Sequence, residues 1–412
     1  MNYLKKLLEG GEVEWKTLGE VCEFQNGFAF QSSLFKEVGL PIVRITNVDG
    51  TNVDLTDVKF FNPGDYNSGN PINYVIQKGD ILIAMSGATT GKIGYYNLDE
   101  KAYLNQRVGK FIPNKKILNN RFLYHFILTK SSFLYALAGG GAQPNLSSNM
   151  LKEKLQIPIP PLPVQKEIVR ILDTFTELTA ELTAELTARK NQYNYYREQL
   201  FVFDENEVLH LPMADESIGE FQRGKRFVKT DLITEGVPTI HYGEMYTHYG
   251  TWANETISFV SEKLVKDKNL RVANKGDVVI VAAGETIEDI GVGTAWLGEQ
   301  GVVVHDACFS YKTILNPKYV AYFTRTKQFH DQIKKHISSG KISAINAKGL
   351  GKAIIPVPSP EEQERIVSIL DKFDILTTSI SEGLPKEIEL RKKQYEYYRD
   401  LLLTFPKNNI ES

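Results

Sequence analysis

Leucines recur at every fourth position, Leu178, Leu182 and Leu186, inside the stretch T-E-L-T-A-E-L-T-A-E-L-T-A (Thr176–Ala188). Glu181 and Glu185 keep the same step. A four-residue period holds apolar side chains near one face of a helix, whereas a strand groups every second residue. The tetrapeptide T-A-E-L occurs intact at Thr179–Leu182 and Thr183–Leu186, and no proline or glycine lies between Val164 and Phe203. The pattern therefore predicts one helix of roughly 60 Å, far longer than an ordinary globular helix. Elsewhere the apolar runs are short, rich in Val, Ile, Phe and Tyr, and bounded by Gly, Asn and Asp, which predicts strands and turns. Helical patches interrupt this near Arg121–Leu137 and Lys318–His336.

The pattern is written twice. I-P-I-P-P-L-P-V-Q-K-E-I-V-R-I-L-D-T-F (Ile157–Phe175) returns as I-P-V-P-S-P-E-E-Q-E-R-I-V-S-I-L-D-K-F (Ile355–Phe373). Gln165, Ile168, Val169, Ile171, Leu172, Asp173 and Phe175 recur identically. R-K-x-Q-Y-x-Y-Y-R occurs at Arg189–Arg197 and again at Arg391–Arg399. The second copy is longer by four residues, which fall in S-E-G-L-P (Ser381–Pro385), where Gly383 and Pro385 should kink or break the helix. Fainter matches precede the helices: Glu23–Phe30 with Glu220–Phe227, Gly39-Leu40-Pro41 with Gly236-Val237-Pro238, and Lys78-Gly79-Asp80 with Lys275-Gly276-Asp277. At the same offset Gly87, Thr89, Ile93 and Gly94 meet Gly284, Thr286, Ile290 and Gly291.

These repeats predict an α+β chain in four segments. Residues 1–155 and 204–353 form two similar β-rich mixed domains, and 156–203 and 354–412 form two long helical segments. Ser359-Pro360-Glu361-Glu362 is a helix-start signal with proline at the first helical position. Apolar seams run through Ile168, Leu172, Phe175, Leu182, Leu186, Tyr193, Tyr196 and Leu200, and through Ile366, Leu370, Phe373, Ile380, Ile388, Tyr395, Tyr398 and Leu402. Helices so apolar must pair, and an antiparallel pairing relates the two domains by a pseudo-twofold. Tyr3–Leu8 resembles the end of a helix repeat, which would bring the N-terminus against the C-terminal helix.

The T-A-E-L repeats, the paired I-P-x-P…Q…I-V-x-I-L-D-x-F stretches and the paired R-K-x-Q-Y-x-Y-Y-R motifs resemble the specificity subunits of type I restriction–modification enzymes, over essentially the whole chain. The resemblance implies two target-recognition domains, each reading one half of a split, asymmetric site in double-stranded DNA, with antiparallel coiled-coil helices setting the gap. It implies docking of two modification subunits that carry S-adenosylmethionine chemistry, and association with restriction/translocase subunits that use ATP and Mg. No cofactor is then expected in this chain. Tyr195 and Tyr397 are candidates for contact with a modification subunit or for packing against a flanking domain.

Composition is compatible and unspecific. The chain has 412 residues, a net charge of −2, 42% hydrophobic residues and two cysteines, Cys22 and Cys308. That excludes a disulfide framework, and no apolar run is long enough to span a membrane. The reading is a cytoplasmic, nucleoid-associated protein. With so little net charge, DNA binding must come from local patches.

Catalytic signatures are missing. Ser86–Gly94 (S-G-A-T-T-G-K-I-G) lacks the spacing and the hydroxyl of a phosphate loop. Asn316-Pro317-Lys318-Tyr319 lacks the second proline of an adenine-methyltransferase pocket. His241, His248 and His305 are isolated in sequence, without metal spacing. A non-catalytic reader is therefore expected. The alternatives are a stand-alone DNA methyltransferase or nuclease, which S-adenosylmethionine binding by the isolated chain would favour, and a coiled-coil adaptor for proteins, which would not distinguish one duplex from another.

Base edges are read by Arg, Lys, Asn, Gln, His, Ser and Thr on loops that enter a groove. Polar positions that vary between the two scaffolds are the candidates. In the first domain they are Arg44, Thr46 and Asn47, then Thr89, Thr90 and Lys92, then Asn105, Gln106 and Arg107. In the second they are Arg223, Lys225 and Arg226, then His241, Tyr242, Tyr246 and His248, with Lys341.

Overall fold

The computed structural model describes residues 3–8, 11–67, 69–139, 144–340, 342–379 and 381–406. The long helix runs Leu162–Gln199, 38 residues, or about 57 Å at 1.5 Å per residue. Its ends are the anchored parts: Ile168, Leu172 and Tyr193 are buried, while Leu178, Leu182 and Leu186 in the repeats are half-buried. Thr179 and Thr187 hydroxyls donate to the carbonyls of Phe175 and Thr183 one turn back, so the repeat threonines are satisfied by their own helix. Residues 156–203 are not helical throughout. Gln156–Ile159 is a strand paired antiparallel with Glu14–Thr17, since Pro158, Pro160 and Pro161 exclude a helix there.

The second helical segment is broken, as its glycine and proline predict. One helix runs Pro360–Thr378, capped by the Ser359 side chain, which accepts from the Glu362 N–H. The other runs Gly383–Leu403. Gly383 has φ +79°, and a Cβ there would stand 2.4 Å from the Ile375 carbonyl, so the turn requires glycine. The seam position Ile380 lies outside the described residues.

The chain divides into two compact units, residues 1–181 with 388–412, and residues 182–387. In the first unit one antiparallel sheet has the order Cys22–Asn26, Val108–Pro113, Ile81–Ala84, Ile93–Tyr95. A second sheet has the order Lys59–Phe61, Leu40–Val43, Ala102–Leu104, Val75–Ile76, with the central pair parallel. The second unit repeats both orders: Gly219–Arg223, Cys308–Thr313, Val278–Val281, Gly293–Trp296, and Ser258–Val260, Val237–Ile240, Val302–Val304, Val272–Ala273. Trp252–Ala253 is added as a fifth strand to the first of these. Leu4 shares a core with Leu402, Leu403 and Phe405, and Trp15 Nε1 donates to the Pro406 carbonyl at 3.2 Å. The N-terminus and the C-terminal helix thus close one unit together.

The register corrects one sequence match. Leu82 pairs with Gly94, and its equivalent Val279 pairs with Thr294. Gly94 therefore corresponds to Thr294, not Gly291. The equivalent of Gly291 is Gly91: φ is +92° and +83°, and their N–H groups bond Val281 and Ala84 respectively. The second unit has three more residues than the first between that strand and that glycine. Several glycines close together offered a false alignment across the insertion.

The helix segments are tied to the sheets by a recurring polar device. Gln165 is fully buried; it accepts from Asn119 N–H at 2.7 Å and lies within donating distance of the Ile117 and Pro160 carbonyls. Its repeat Gln363 accepts from Asn316 N–H at 2.8 Å and donates to the Pro358 carbonyl at 2.9 Å. Further along the same helix, Asp173 accepts from Arg121 and from His125 Nε2. Its repeat Asp371 accepts from Lys318 at 2.7 Å and from the Tyr322 hydroxyl at 2.7 Å. The glutamine and the carboxylate are kept, and the side chains that meet the carboxylate differ.

Aromatic stacking repeats likewise. Phe175 stacks on Tyr398 at 5.2 Å and 12°. Its equivalent Phe373 stacks with Tyr196 at 5.6 Å and 26°, and with Tyr193 at 6.1 Å. Each unit thus stacks one end of the long helix on one helix of the second segment.

Candidate nucleic-acid interface

In the first unit the candidate loops leave the carboxyl ends of adjacent strands and are stitched to one another. Leu40–Val43 and Ala102–Leu104 are parallel neighbours, so Arg44 and Asn105 emerge side by side. Asn105 N–H bonds the Val43 carbonyl, Met85 N–H the Arg107 carbonyl, and Gln106 N–H the Phe28 carbonyl. Thr89 hydroxyl donates to the Ile45 carbonyl at 3.1 Å. A Cβ on Gly27 would stand 2.1 Å from the Asn105 carbonyl, so only glycine lets the Phe28 loop lie this close.

The side chains on this rim fall into two groups. Asn47 is buried; it accepts from Arg44 N–H at 2.9 Å and donates to the Asp54 and Asp57 carbonyls at 3.0 and 2.9 Å. Thr90 is buried with its hydroxyl on the Gly87 carbonyl at 2.7 Å. Both are candidates from sequence whose polar atoms are used inside the fold, as is the Thr89 hydroxyl. Thr46, Lys92, Gln106 and Arg107 are exposed, and Arg44 and Asn105 half-buried. Arg44, Lys92 and Arg107 form no ion pair among the described residues. Arg44 Nε and Ser86 Oγ are buried without a hydrogen-bond partner, a deficit that a bound acceptor or donor would relieve.

The second unit presents the equivalent loops with other side chains. Gly224 repeats Gly27, and its Cβ would stand 2.2 Å from the His305 carbonyl. His241 stands where the first unit has Arg44, and His305-Asp306-Ala307 where it has Asn105-Gln106-Arg107, as the strand registers require. Hence the three cations of the first rim become His241, Val292 and Ala307. Cations appear instead on the loop after Gly219–Arg223, where the first unit has Asn26, Phe28 and Ala29. Arg223 and Arg226 are exposed and Lys225 half-buried. Arg223 Nε donates to the Asp306 carbonyl at 2.9 Å, and none of the three forms an ion pair among the described residues.

His241 and His305, isolated in sequence, are neighbours here, with ring centroids 4.7 Å apart. Tyr242 lies 4.6 Å from His241 and 5.3 Å from His305, and Phe227 backs His305 at 4.9 Å. His305 was missed as a site residue; reading the loop at the offset that carries Ala102–Leu104 onto Val302–Val304 finds it. His248 is exposed and rests against Tyr249 at 5.0 Å. Lys341 and the side chain of Tyr246 lie outside the described residues. Among the described residues no three His, Cys, Asp or Glu side chains gather to hold a metal, and no helix is long and apolar enough to cross a membrane.

Burial holds the pKa of His241, His305, His330 and His125 below the ordinary 6.5, in His125 against the pull of Asp173. The Tyr395 hydroxyl lies 2.9 Å from His125 Nδ1 while Nε2 faces Asp173, which suits a neutral ring. A histidine with a depressed folded pKa takes up a proton on unfolding, so stability rises with pH in that window. Urea midpoints should therefore be steady above about pH 7 and fall as the pH drops through 6.5, the ordinary histidine value. A midpoint that rose on acidification to pH 5.5 would contradict the neutral assignment.

A duplicated frame with fixed anchors and differing loop side chains defines a class of internally repeated proteins whose scaffold is constant and whose rims carry the differences. The chain belongs to the family described as the type I restriction modification DNA specificity domain, whose model matches residues 11–189 and 215–390. It is 34% identical over 421 residues to the type I restriction enzyme EcoR124I/EcoR124II specificity subunit of Escherichia coli, covering 99% of this chain and 98% of that one. It is 35% identical over 431 residues to a putative type I restriction enzyme specificity subunit of Haemophilus influenzae, covering 98% of each. Two solved structures share the fold. The S subunit of a type I restriction-modification system from M. genitalium has a TM-score of 0.52 at 18% identity, covering 96% of this chain and 97% of that one. A chain from a study of assembly and conformational transition in the type I R-M system has a TM-score of 0.61 at 16% identity, covering 95% and 98%.

Proposed function

We propose that this chain is the non-catalytic DNA-reading subunit of a type I restriction–modification complex, each unit reading one half of an asymmetric bipartite site in double-stranded DNA. The observation that carries this reading is the pair of equivalent rims, each bearing three cations without an ion-pair partner among the described residues, carried on different loops in the two units. Unpaired cations suit phosphate contact, and differing polar neighbours suit different base sequences. Family membership supports the same reading. The partners are two modification subunits and the restriction/translocase subunits, with S-adenosylmethionine, ATP and Mg held there. Tyr195 and Tyr397, at the same position of the two R-K-x-Q-Y-x-Y-Y-R motifs, are 61% and 65% exposed and are suited to docking a modification subunit.

The test is binding of the assembled methyltransferase complex to its site across a salt series. Changing Arg44, Lys92 and Arg107 together to glutamine should flatten log K against log salt by about 2 to 3, at roughly 0.9 for each phosphate no longer neutralised. The Arg223, Lys225 and Arg226 triple should act alike. An unchanged slope in both triples would remove these loops from the interface.

A further inference from the structure

His241 carries information beyond the cations around it. Its Nδ1 accepts from the Gly243 N–H at 3.3 Å. A backbone N–H can only donate, so Nδ1 holds a lone pair and the ring proton of the neutral imidazole is on Nε2. No described residue accepts from Nε2. The backbone that carries the ring is also held: the His241 backbone N–H donates to Glu244 Oε2 at 3.0 Å, and Glu244 Oε1 accepts from the Ser258 hydroxyl. Behind the ring, His305 has no freedom of its own: its Nε2 faces the Phe227 carbonyl at 3.0 Å and its Nδ1 accepts from Ala307 N–H at 3.1 Å. The outcome is a half-buried ring, fixed in tautomer, with one N–H left over on the rim beside exposed Tyr242.

We infer that His241 is a specificity-determining residue of the second unit, donating its Nε2–H to an acceptor on a base edge in the major groove, and that His305 positions it. The inference rests on the DNA-reading function proposed above. The acceptors available there are purine N7, guanine O6 and thymine O4, while the amino groups of cytosine and adenine offer only donors to such a ring. In the first unit the same place holds Arg44, a two-pronged donor with constant charge, so the equivalent position reads differently in the two halves of the site.

The test uses the full methyltransferase complex and maps the methylated motif genome-wide for the wild type, His241→Phe, His241→Asn and His241→Gln. Phenylalanine removes the donor. Asparagine can restore only the Nδ1-side group, and glutamine places an amide N–H near the Nε2 position. Preference at a single base-pair position of one half-site should fall about ten- to one-hundred-fold in the Phe and Asn variants. The Gln variant should keep most of it, with the other half-site unaltered in all. Duplexes with 7-deazapurine at that position should discriminate against the wild type and not against His241→Phe if N7 is the acceptor; equal discrimination leaves a carbonyl oxygen. Unchanged motifs in the Phe and Asn variants, or relaxation spread over both half-sites, would overturn the assignment while leaving the DNA-reading function standing. A wild-type complex without any bipartite motif would remove that function and this inference with it.

Discussion

Inserting one further T-A-E-L unit after Leu186 should abolish methylation of the original site by at least about a hundred-fold and create methylation at a site with a longer gap. One unit lengthens a helix by about 6 Å and turns its end by about 40°. One base pair turns DNA by about 35°, at 10–10.5 pairs per turn, so the phase match selects a gap longer by one pair. The insertion point is suited to the test, because the leucines there are half-buried and the Thr187 hydroxyl next to it donates to the Thr183 carbonyl of its own helix. Both half-site sequences should survive unchanged in the motif mapped from cells. Altered half-sites with an unaltered gap would show that the repeats do not act as a spacer.

Replacing Gln165 by alanine should destabilise the first unit by about 3 kcal/mol, because a buried donor and two carbonyls lose their partner at once. Gln363→Ala, with fewer bonds to lose, should cost about 2 kcal/mol in the second unit. Neither residue reaches a rim, so the methylated motif should persist at permissive temperature. Urea unfolding of the purified subunit measures the loss, and a change below about 0.5 kcal/mol in both would mean the amides are replaceable by water.

Much of this organisation was legible in the sequence, for a physical reason. Gln165 and Asp173 are each pinned by several polar partners at once, so few substitutes fit, and Phe175 recurs with its aromatic stack. The helix break at Gly383 was equally readable, since φ and a close carbonyl there admit little else. The rims were harder. Thr89, Thr90 and Asn47 look like free polar groups, yet small hydroxyl and amide side chains often bond nearby backbone carbonyls, and here they hold the loops. His305 stands 200 positions beyond Asn105 rather than 197, past the three-residue insertion, so a constant offset does not pair them. A turn rich in glycine aligns with itself in several ways, and only strand pairing chooses among them.

That same loop also shows how the two copies have been free to diverge. The second unit gains three residues before Gly291 and gives up three between its strand Cys308–Thr313 and the helix Pro317–Phe323, compared with Val108–Pro113 and Asn120–Leu128 in the first. The change of length is cancelled before it reaches Lys318 and Tyr322, which must meet Asp371. Loop length can thus differ between the two copies while the ties that hold each sheet to its helix stay in register.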